Sequence, residues 1–419
     1  MNKKIITLSI IILTIIMPLT ATDVSYSGLS HTSLATRFME GDIAHYKQSI
    51  DLSIDMYKDM SHFFIQPYAT FSKEDSLDVS FNIREAYAEF YLDNMDLKIG
   101  KQIIVAGGAD ALYLTDIISP RNIQDFVLTE TPDMRIGVPA IKGSYYLGDY
   151  TIDAIWIAQA IPTSTFSQTS MWFSPPSLLP PSATVTMNPP TTPELLLENS
   201  EVFTKVRYFG SSLSYEIVAG FAYSDESHIS ALTKTSTNPL EVTLDQAFDR
   251  YPLLGGSLST TVGPVVVRGE TNVSFNKAFS SVTTTPSPSV DVEDHTYIQG
   301  LVGLDWKLFG FDMSSQYMLS YISEYNEKLV HQGRYAHEYS HLATYRMQKK
   351  FFDNRFTFQL FTLIELDPLN ALIRPSLSYE IEDAVSVKAE VLLFVGEEEG
   401  LYGKYKDNSL ASLSLYWYF

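Results

Sequence analysis

The final eleven residues of the chain, 409–419, alternate between apolar and polar side chains with the period of a β-strand. One face of this segment is an unbroken apolar column made of Ala411, Leu413, Leu415, Trp417 and Phe419. The intervening positions are serine or tyrosine, with Leu410 as the exception. Successive side chains of a strand point to opposite faces, so this pattern predicts a strand with one wholly apolar face.

The same alternation recurs in segments of similar length through most of the chain. We predict strands at 29–40, 46–58, 61–71, 80–92, 95–105, 138–147, 150–160, 201–209, 212–224, 252–262, 264–276, 296–308, 311–322, 336–348, 355–366, 371–381, 384–395 and 409–419. This count of about 18 strands, with 16 as the alternative, predicts an all-β fold, a transmembrane antiparallel β-barrel.

The closing strand resembles the last strand of bacterial outer-membrane β-barrels, which end on an aromatic residue. The resemblance implies that the barrel-assembly machinery recognises the chain through Trp417 and Phe419. It also implies that this strand closes the barrel against residues 29–40. An even number of strands would place both chain ends on the periplasmic side.

The N-terminus has the pattern of a secretory signal peptide. Lys3 and Lys4 precede an apolar run over residues 5–17, and small residues follow up to Ala21. The run is too short for a stable membrane span. We therefore expect a signal peptide at 1–21, a barrel at 22–419, and a location in the outer membrane of a diderm bacterium.

The composition restricts the partners of the chain. Its net charge of −20 argues against nucleic acid, and its 13% aromatic content suits the aromatic girdles of a barrel. Without cysteine it has no disulfide or thiolate chemistry. We expect contacts with outer-membrane lipids, including lipopolysaccharide-type lipids where present, passage of a small-molecule solute, no cofactor and no metal, and we leave a homo-oligomer open.

Segment 264–276 shows the two predicted faces most clearly. Val265, Val267 and Val273 would face lipid, whereas Arg268 and Glu270 would face the interior. Charged side chains at the middle of a bilayer are costly, so the alternation predicts a wet interior.

Short turns and long connections alternate along the chain. Two-residue turns rich in glycine, asparagine and aspartate close one end of the predicted barrel, and long loops close the other. Segment 161–200 is rich in proline, serine and threonine and is predicted to be an external loop, and segment 277–295 has the same character.

The long loop 106–137, after the fifth predicted strand, is too apolar for a surface loop. We expect it to fold into the lumen and pack on the inner wall. Its charged side chains are candidates for a pore constriction, and charges of the wall are candidates for the substrate path: Asp110, Asp116, Arg121, Asp125, Asp133 and Arg135 in the loop, and Glu85, Glu89, Lys98, Arg268 and Glu270 in the wall. A plug that keeps the barrel shut is the alternative.

Residues 80–160 resemble a functionally uncharacterised family of outer-membrane barrels. The matching residues are Arg84-Glu-Ala-Tyr87, Ile99-Gly-Lys-Gln102, Gly107, Asp110, Thr115-Asp116, Pro120-Arg-Asn, Gly148-Asp149-Tyr150 and Trp156. Ala106 and Ser119 depart from the tryptophan and asparagine of the family pattern, which puts any role of these two positions in doubt. The resemblance implies the barrel fold, and traffic of lipids or hydrophobic compounds is sometimes supposed for the family.

Two cations in this stretch conflict with the alternation. If Glu85 and Lys98 face inward, Arg84 and Lys101 fall on the lipid side. We predict that a β-bulge re-aims these two side chains towards carboxylates of the loops.

The sequence His337-Glu-Tyr-Ser-His341 matches the zinc-protease pattern H-E-x-x-H. That chemistry needs a helix, and the surrounding residues predict a strand, so we expect no enzyme activity. The function that the sequence favours is a porin-like channel for small solutes. The alternatives are a plugged structural or surface-binding barrel, and a transporter of hydrophobic or lipid-like molecules.

Overall fold

The computed structural model describes most of the chain after the predicted signal peptide. The described residues are 23–73, 77–108, 112, 114–129, 134–174, 178, 183–224, 226–237, 240–284 and 287–419. The signal peptide, Asp110 and Asp133 lie outside them. No helix among these residues is long and apolar enough to cross a membrane.

Eighteen of the described strands form one closed antiparallel barrel. They are β1 Asp23–Arg37, β2 Ile43–Lys58, β3 Ser61–Lys73, β4 Leu77–Leu92, β5 Met95–Gln102, β6 Val138–Leu147, β7 Tyr150–Ile157, β8 Glu201–Phe209, β9 Leu213–Tyr223, β10 Arg250–Val262, β11 Val265–Thr283, β12 Ser289–Leu308, β13 Phe311–Ile322, β14 Tyr339–Phe351, β15 Phe356–Leu366, β16 Leu369–Glu382, β17 Val385–Gly396 and β18 Leu410–Tyr418. The predicted fold class and the count of 18 strands are confirmed, and the alternative count of 16 is wrong.

The seam of the barrel joins the last strand to the first. β18 pairs antiparallel with β1, from Tyr418 opposite Leu29 to Leu410 opposite Arg37. Gly28 and Phe419 exchange two backbone hydrogen bonds, of 2.7 and 3.0 Å. A Cβ atom on Gly28 would stand 2.3 Å from the ring of Phe419, so the seam requires glycine at this position. The predicted closure of the barrel is therefore confirmed.

The two faces of the wall differ in polarity as the alternation predicts. On β11, Glu270, Asn272 and Ser274 are buried inside the barrel, whereas Phe275 is 41% exposed on the outside. The apolar column of β18 is also exposed on the outer face. An apolar belt around a polar interior is what a bilayer requires of a barrel.

The predicted external loop 277–295 is largely wrong. β11 continues to Thr283 and β12 begins at Ser289, and the two strands pair over this extension. A bulge between Ser274 and Lys277, with Asn276 at φ +53°, shifts the period-two pattern by one position. Because of this shift, the strand that continues after the bulge no longer follows the alternation of the strand before it, and the sequence pattern does not predict it.

A small sheet lies on this extended hairpin at the loop end of the barrel. Thr184–Met187 pairs in parallel with Leu240–Ala247, which pairs antiparallel with His228–Thr237. Ile229 and Leu244 of this sheet form an apolar cluster with Val282 of β11. The proline-rich segment 161–200 therefore contributes a strand to an ordered cap.

The remaining short elements lie in the loops. Single turns of 3-10 helix occupy Phe126–Leu128 and Leu197–Asn199, a longer one occupies Gly403–Asn408, and two short strands occupy Leu329–His331 and Arg334–Tyr335. The H-E-x-x-H segment is extended, because His337 precedes β14 and His341 lies within it. It lacks the helix that a zinc protease needs.

Candidate channel constriction

The connection between β5 and β6 is residues 103–137, and its described residues enter the barrel and cross its interior. We name it the lumen loop. Its first limb lies within 103–119 and contacts the wall at β4, β9 and β11. Its second limb is 122–129 with 134–137, and Phe126, Val127 and Leu128 of this limb pack on β16 and β17. The loop therefore bridges opposite sides of the barrel.

Wall carboxylates hold the first limb through its backbone. The N–H of Ile103 donates to Glu85 at 2.6 Å. The N–H groups of Gly107 and Gly108 donate to Glu216 and Glu270, each at 2.7 Å. Hydrogen bonds to an ionised acceptor are the stronger kind, so these carboxylates fix the height and direction of the limb.

Glu270 also organises the tip of the first limb. It accepts a hydrogen bond from the hydroxyl of Thr115 at 3.1 Å. Beside it on β11, Arg268 donates to the carbonyl of Gly108 at 2.8 Å and pairs with Asp305 at 2.8 Å. Two of the predicted substrate-path residues, Glu270 and Arg268, thus contact the lumen loop itself.

Three of the predicted constriction charges meet inside the lumen loop. Asp116 is buried and pairs with Arg135 at 2.8 Å. Arg121 donates to the backbone carbonyl of Asp116 and lies 3.8 Å from its carboxylate. The backbone N–H of Ala106 donates to the same carboxylate at 3.3 Å. These charges tie the two limbs together and do not face each other across an opening.

Two leucines of the first limb pack on the wall. Leu112 and Leu114 form a buried cluster with Leu301 of β12 and Met318 of β13. This packing accounts for the apolar composition that predicted an inward loop.

Phe126 centres the second limb. Its ring lies 5.3 Å from that of Trp172, 5.2 Å from that of Tyr405 and 6.2 Å from that of Phe394. Leu410, the exception to the alternation of β18, is buried in the same cluster. Three loops and the wall therefore meet around one aromatic side chain.

Asp125 adds an ion pair to the second limb. Its carboxylate accepts a hydrogen bond from the ammonium of Lys47 on β2. Burial raises the pKa of Asp125, but the charges of Lys47 and His45 and the hydrogen bonds from Lys47 and Thr129 outweigh it and hold this pKa below its ordinary value.

A row of charges on the inner wall contains the predicted Glu89 and Lys98 and five residues that the sequence analysis missed. Lys98 of β5 lies directly opposite Lys142 of β6, and Glu89 pairs with Lys98 at 3.3 Å. The next strands add Asp153, Lys205, Arg207 and Glu216, in which Lys205 lies 3.6 Å from Asp153 and 3.4 Å from Glu216. Each residue has the inward parity of its predicted strand, a signal that could have identified the row.

The predicted bulge is present, with different partners. Gln66 pairs with Glu85 and Pro67 with Ile83, so Arg84 is the extra residue of β4. Arg84 reaches Asp51 of β2 at 3.2 Å. Lys101 donates to the carbonyl of Ile83 at 2.6 Å. The expected loop carboxylates are wrong, because a wall carboxylate and a strand carbonyl lie nearer.

Within the described part of the chain, no three histidine, aspartate or glutamate side chains are grouped to hold a metal ion.

The closed barrel and its lumen loop define a porin-like architecture, and comparison with solved structures agrees. The chain is similar in fold to Pseudomonas aeruginosa OccK5 (OpdH), with a TM-score of 0.53 at 10% identity, over 95% of this chain and 98% of that one. It is also similar to Pseudomonas aeruginosa OccD3 (OpdP), with a TM-score of 0.54 at 8% identity, over 95% of this chain and 91% of that one. For Acinetobacter baumannii OccAB3 the TM-score is 0.52 at 9% identity, over 95% of this chain and 99% of that one. No family model and no curated protein matches the sequence.

Proposed function

We propose that the chain is an outer-membrane channel for small solutes, narrowed by the lumen loop. One observation carries the proposal: a loop held on opposite walls crosses a polar interior. The apolar outer face supports the membrane location, and the porin architecture of the structural neighbours supports the channel.

We propose different roles for the candidate residues. Glu89, Lys98 and Arg268 line the path beside the loop, together with Lys142 and Arg207. The other described candidates act by holding the loop that shapes the opening: Glu85, Asp116, Arg121, Asp125, Arg135 and Glu270. The role of Asp110 and Asp133, which lie outside the described residues, stays a prediction.

Single-channel recording in planar bilayers tests the proposal. The wild-type protein is compared with a variant in which residues 109–133 are replaced by a short glycine–serine linker. We expect stable conductance steps from wild type and larger steps from the variant, because the opening widens. Glu398→Gln, on an exposed loop, is the control and should leave the steps unchanged. Silence from both proteins, each folded, would contradict the channel.

A plugged barrel is the second candidate, and the number of anchors on the lumen loop favours it. Three wall carboxylates and an aromatic cluster hold a segment that crosses the interior. A plug predicts a silent wild-type protein and a conducting linker variant. The same pair of recordings therefore separates the two candidates.

We also propose that the chain is related to the barrels with the Arg-Glu-Ala-Tyr pattern. Several of the matching residues have structural roles in this chain. Arg84 forms the bulge, Gln102 donates to the carbonyl of Ala140 at 3.1 Å, and Asp116 joins the two limbs. A solved structure of a family member should contain the same bulge and the same buried aspartate between two arginines. A member without both would contradict the relationship.

Recognition by the assembly machinery is proposed for the exposed aromatics of the closing strand. Trp417 and Phe419 stand on the outer face, 53% and 50% exposed. Trp417→Ala should lower the yield of assembled barrel in cells while leaving refolding in detergent intact. An unchanged cellular yield would contradict the proposal.

A further inference from the structure

The outer face of the barrel carries a lysine among aromatic rings at the turn end of β12 to β15. On β14 the outward column is Tyr345, Met347, Lys349 and Phe351, which alternates with inward Arg346 and Gln348. Lys349 therefore lies on the face that is otherwise apolar. A charge in such a position is costly unless it reaches the polar boundary of the membrane.

The ammonium of Lys349 is positioned by its neighbours. It donates to the carbonyl of Phe309 at 3.1 Å and lies over the rings of Phe311 and Phe351, at 4.7 and 5.5 Å from their centroids. No carboxylate of the described residues lies within 4.0 Å of it. An ammonium has three N–H donors, so two remain for an acceptor outside the protein.

Two phenylalanines project from the neighbouring turns. Phe309 and Phe352 are 85% and 81% exposed, and both adopt left-handed backbone conformations, at φ +51° and +52°. Glycine is the usual residue there, and asparagine is tolerated through local hydrogen bonds, since a Cβ in this conformation costs roughly 1–2 kcal/mol. Exposed aromatic rings in these turns suit the interface between water and hydrocarbon, where barrels carry aromatic girdles.

The two hairpin ends at this surface, 307–312 and 349–355, carry four cations and two carboxylates, in a chain whose net charge is −20. Lys307 pairs with Asp312 at 2.8 Å, and Lys307 and Lys350 both have inward parity. The cations left for an anion outside the barrel are therefore Lys349 on the outer face and Arg355 in the β14–β15 turn.

We propose that this surface binds the headgroup of an anionic phospholipid. The phosphate accepts hydrogen bonds from Lys349, Arg355 supplies a second charge, and the acyl chains lie along Phe311, Phe351 and Phe356. The proposal rests on the proposed outer-membrane location, in which the turn end faces the phospholipid leaflet. Phosphatidylglycerol has the required chemistry.

Native mass spectrometry of the purified folded barrel tests the site. Phosphatidylglycerol and phosphatidylcholine are added in turn, and the bound fraction of each is measured. Wild type should prefer phosphatidylglycerol, and Lys349→Gln should lower that preference about five-fold. Arg355→Gln should lower it less. Lys58→Gln, which removes an outward lysine beside the β2–β3 turn, should leave the preference unchanged.

Equal binding of the two lipids by wild type, or an unchanged preference in Lys349→Gln, would overturn the site. Heat-modifiable mobility in gel electrophoresis, the difference between unboiled and boiled samples, verifies that each variant is folded. The measurement uses detergent and needs no current through the barrel. Failure of the lipid site is therefore distinguishable from failure of the channel.

Discussion

The two limbs of the lumen loop are fixed to the same barrel by different physics. The first limb has its backbone N–H groups on wall carboxylates, at Glu85, Glu216 and Glu270. The second limb packs the partly buried ring of Phe126 against other aromatic rings. Directional hydrogen bonds position a chain closely with little buried area, whereas aromatic packing stabilises it in proportion to area.

This difference between the limbs suggests that each limb affects a different property of the current. The first limb sets the position of the loop backbone in the opening, so variants of this limb should alter the single-channel conductance. The second limb keeps the loop attached to the wall, so variants of this limb should alter the noise of the single-channel current. The pair between Asp116 and Arg135 couples the limbs, and the following experiments separate them.

Phe126→Ala should have the largest effect. Truncation of a fully buried phenylalanine typically costs about 3–5 kcal/mol, and Phe126 is partly buried, so we expect a loss near the lower end of that range. We expect the second limb to detach repeatedly, which raises current noise in bilayer recordings and lowers the urea midpoint. Phe275→Ala on the outer face is the control and should change both less. A quiet Phe126→Ala channel would refute the role of the aromatic cluster.

Glu270→Ala should rank second. It leaves the N–H of Gly108 and the hydroxyl of Thr115 without this acceptor, and the loss for the buried hydroxyl of Thr115 is about 1–3 kcal/mol. Because the first limb shifts, the single-channel conductance should change while the noise changes less than in Phe126→Ala. Glu270→Gln, which keeps an acceptor oxygen, should recover part of the wild-type value. If Glu270→Ala conducts like wild type, this carboxylate does not position the limb.

Gly107→Ala should rank third and has a matched neighbour. Gly107 is at φ +74°, and a Cβ there would stand 1.9 Å from the hydroxyl of Thr115. The strain of a left-handed alanine adds about 1–2 kcal/mol. Gly108→Ala meets no atom of the described residues within 4 Å of its added Cβ and should conduct like wild type. Equal conductance in the two variants would show that the tip tolerates movement.

The wall was more predictable than the loop for a physical reason. Lipid outside and water inside impose a period of two on every strand, and this pattern is local in the sequence. It fails where a bulge changes the phase, as at Asn276. The same alternation places Lys142 and Arg207 on the inward face, although they were not named as candidates from the sequence.

The pairing of the lumen loop could not be predicted in this way. Its apolar residues predicted an inward course, but its anchors lie far away in the sequence, with Gly107 and Glu216 separated by 109 residues and Gly108 and Glu270 by 162. Which inward carboxylate meets which N–H depends on strand tilt and loop path. For that reason Asp116 was expected at an opening and lies buried between two arginines.

Asp125→Asn should have the smallest effect and adds a pH dependence. The pKa of Asp125 is lowered in the folded protein, so its pair with Lys47 stabilises the second limb above the ordinary carboxyl pKa, near 4, and this contribution is lost as pH falls through the lowered value. At pH 7 the variant should be noisier than wild type, because a half-buried pair contributes about 1 kcal/mol.

The difference between Asp125→Asn and wild type is the quantity to measure, because other carboxylates titrate in the same range. We expect it to be constant from pH 7 to about 5 and to disappear at the most acidic pH that the barrel withstands. Glu398→Gln removes a carboxylate whose pKa is also lowered, by a hydrogen bond from Lys406, but on a fully exposed loop. It should match wild type throughout. If the difference persists at low pH, the amide acts through packing and the ion pair does not hold the limb.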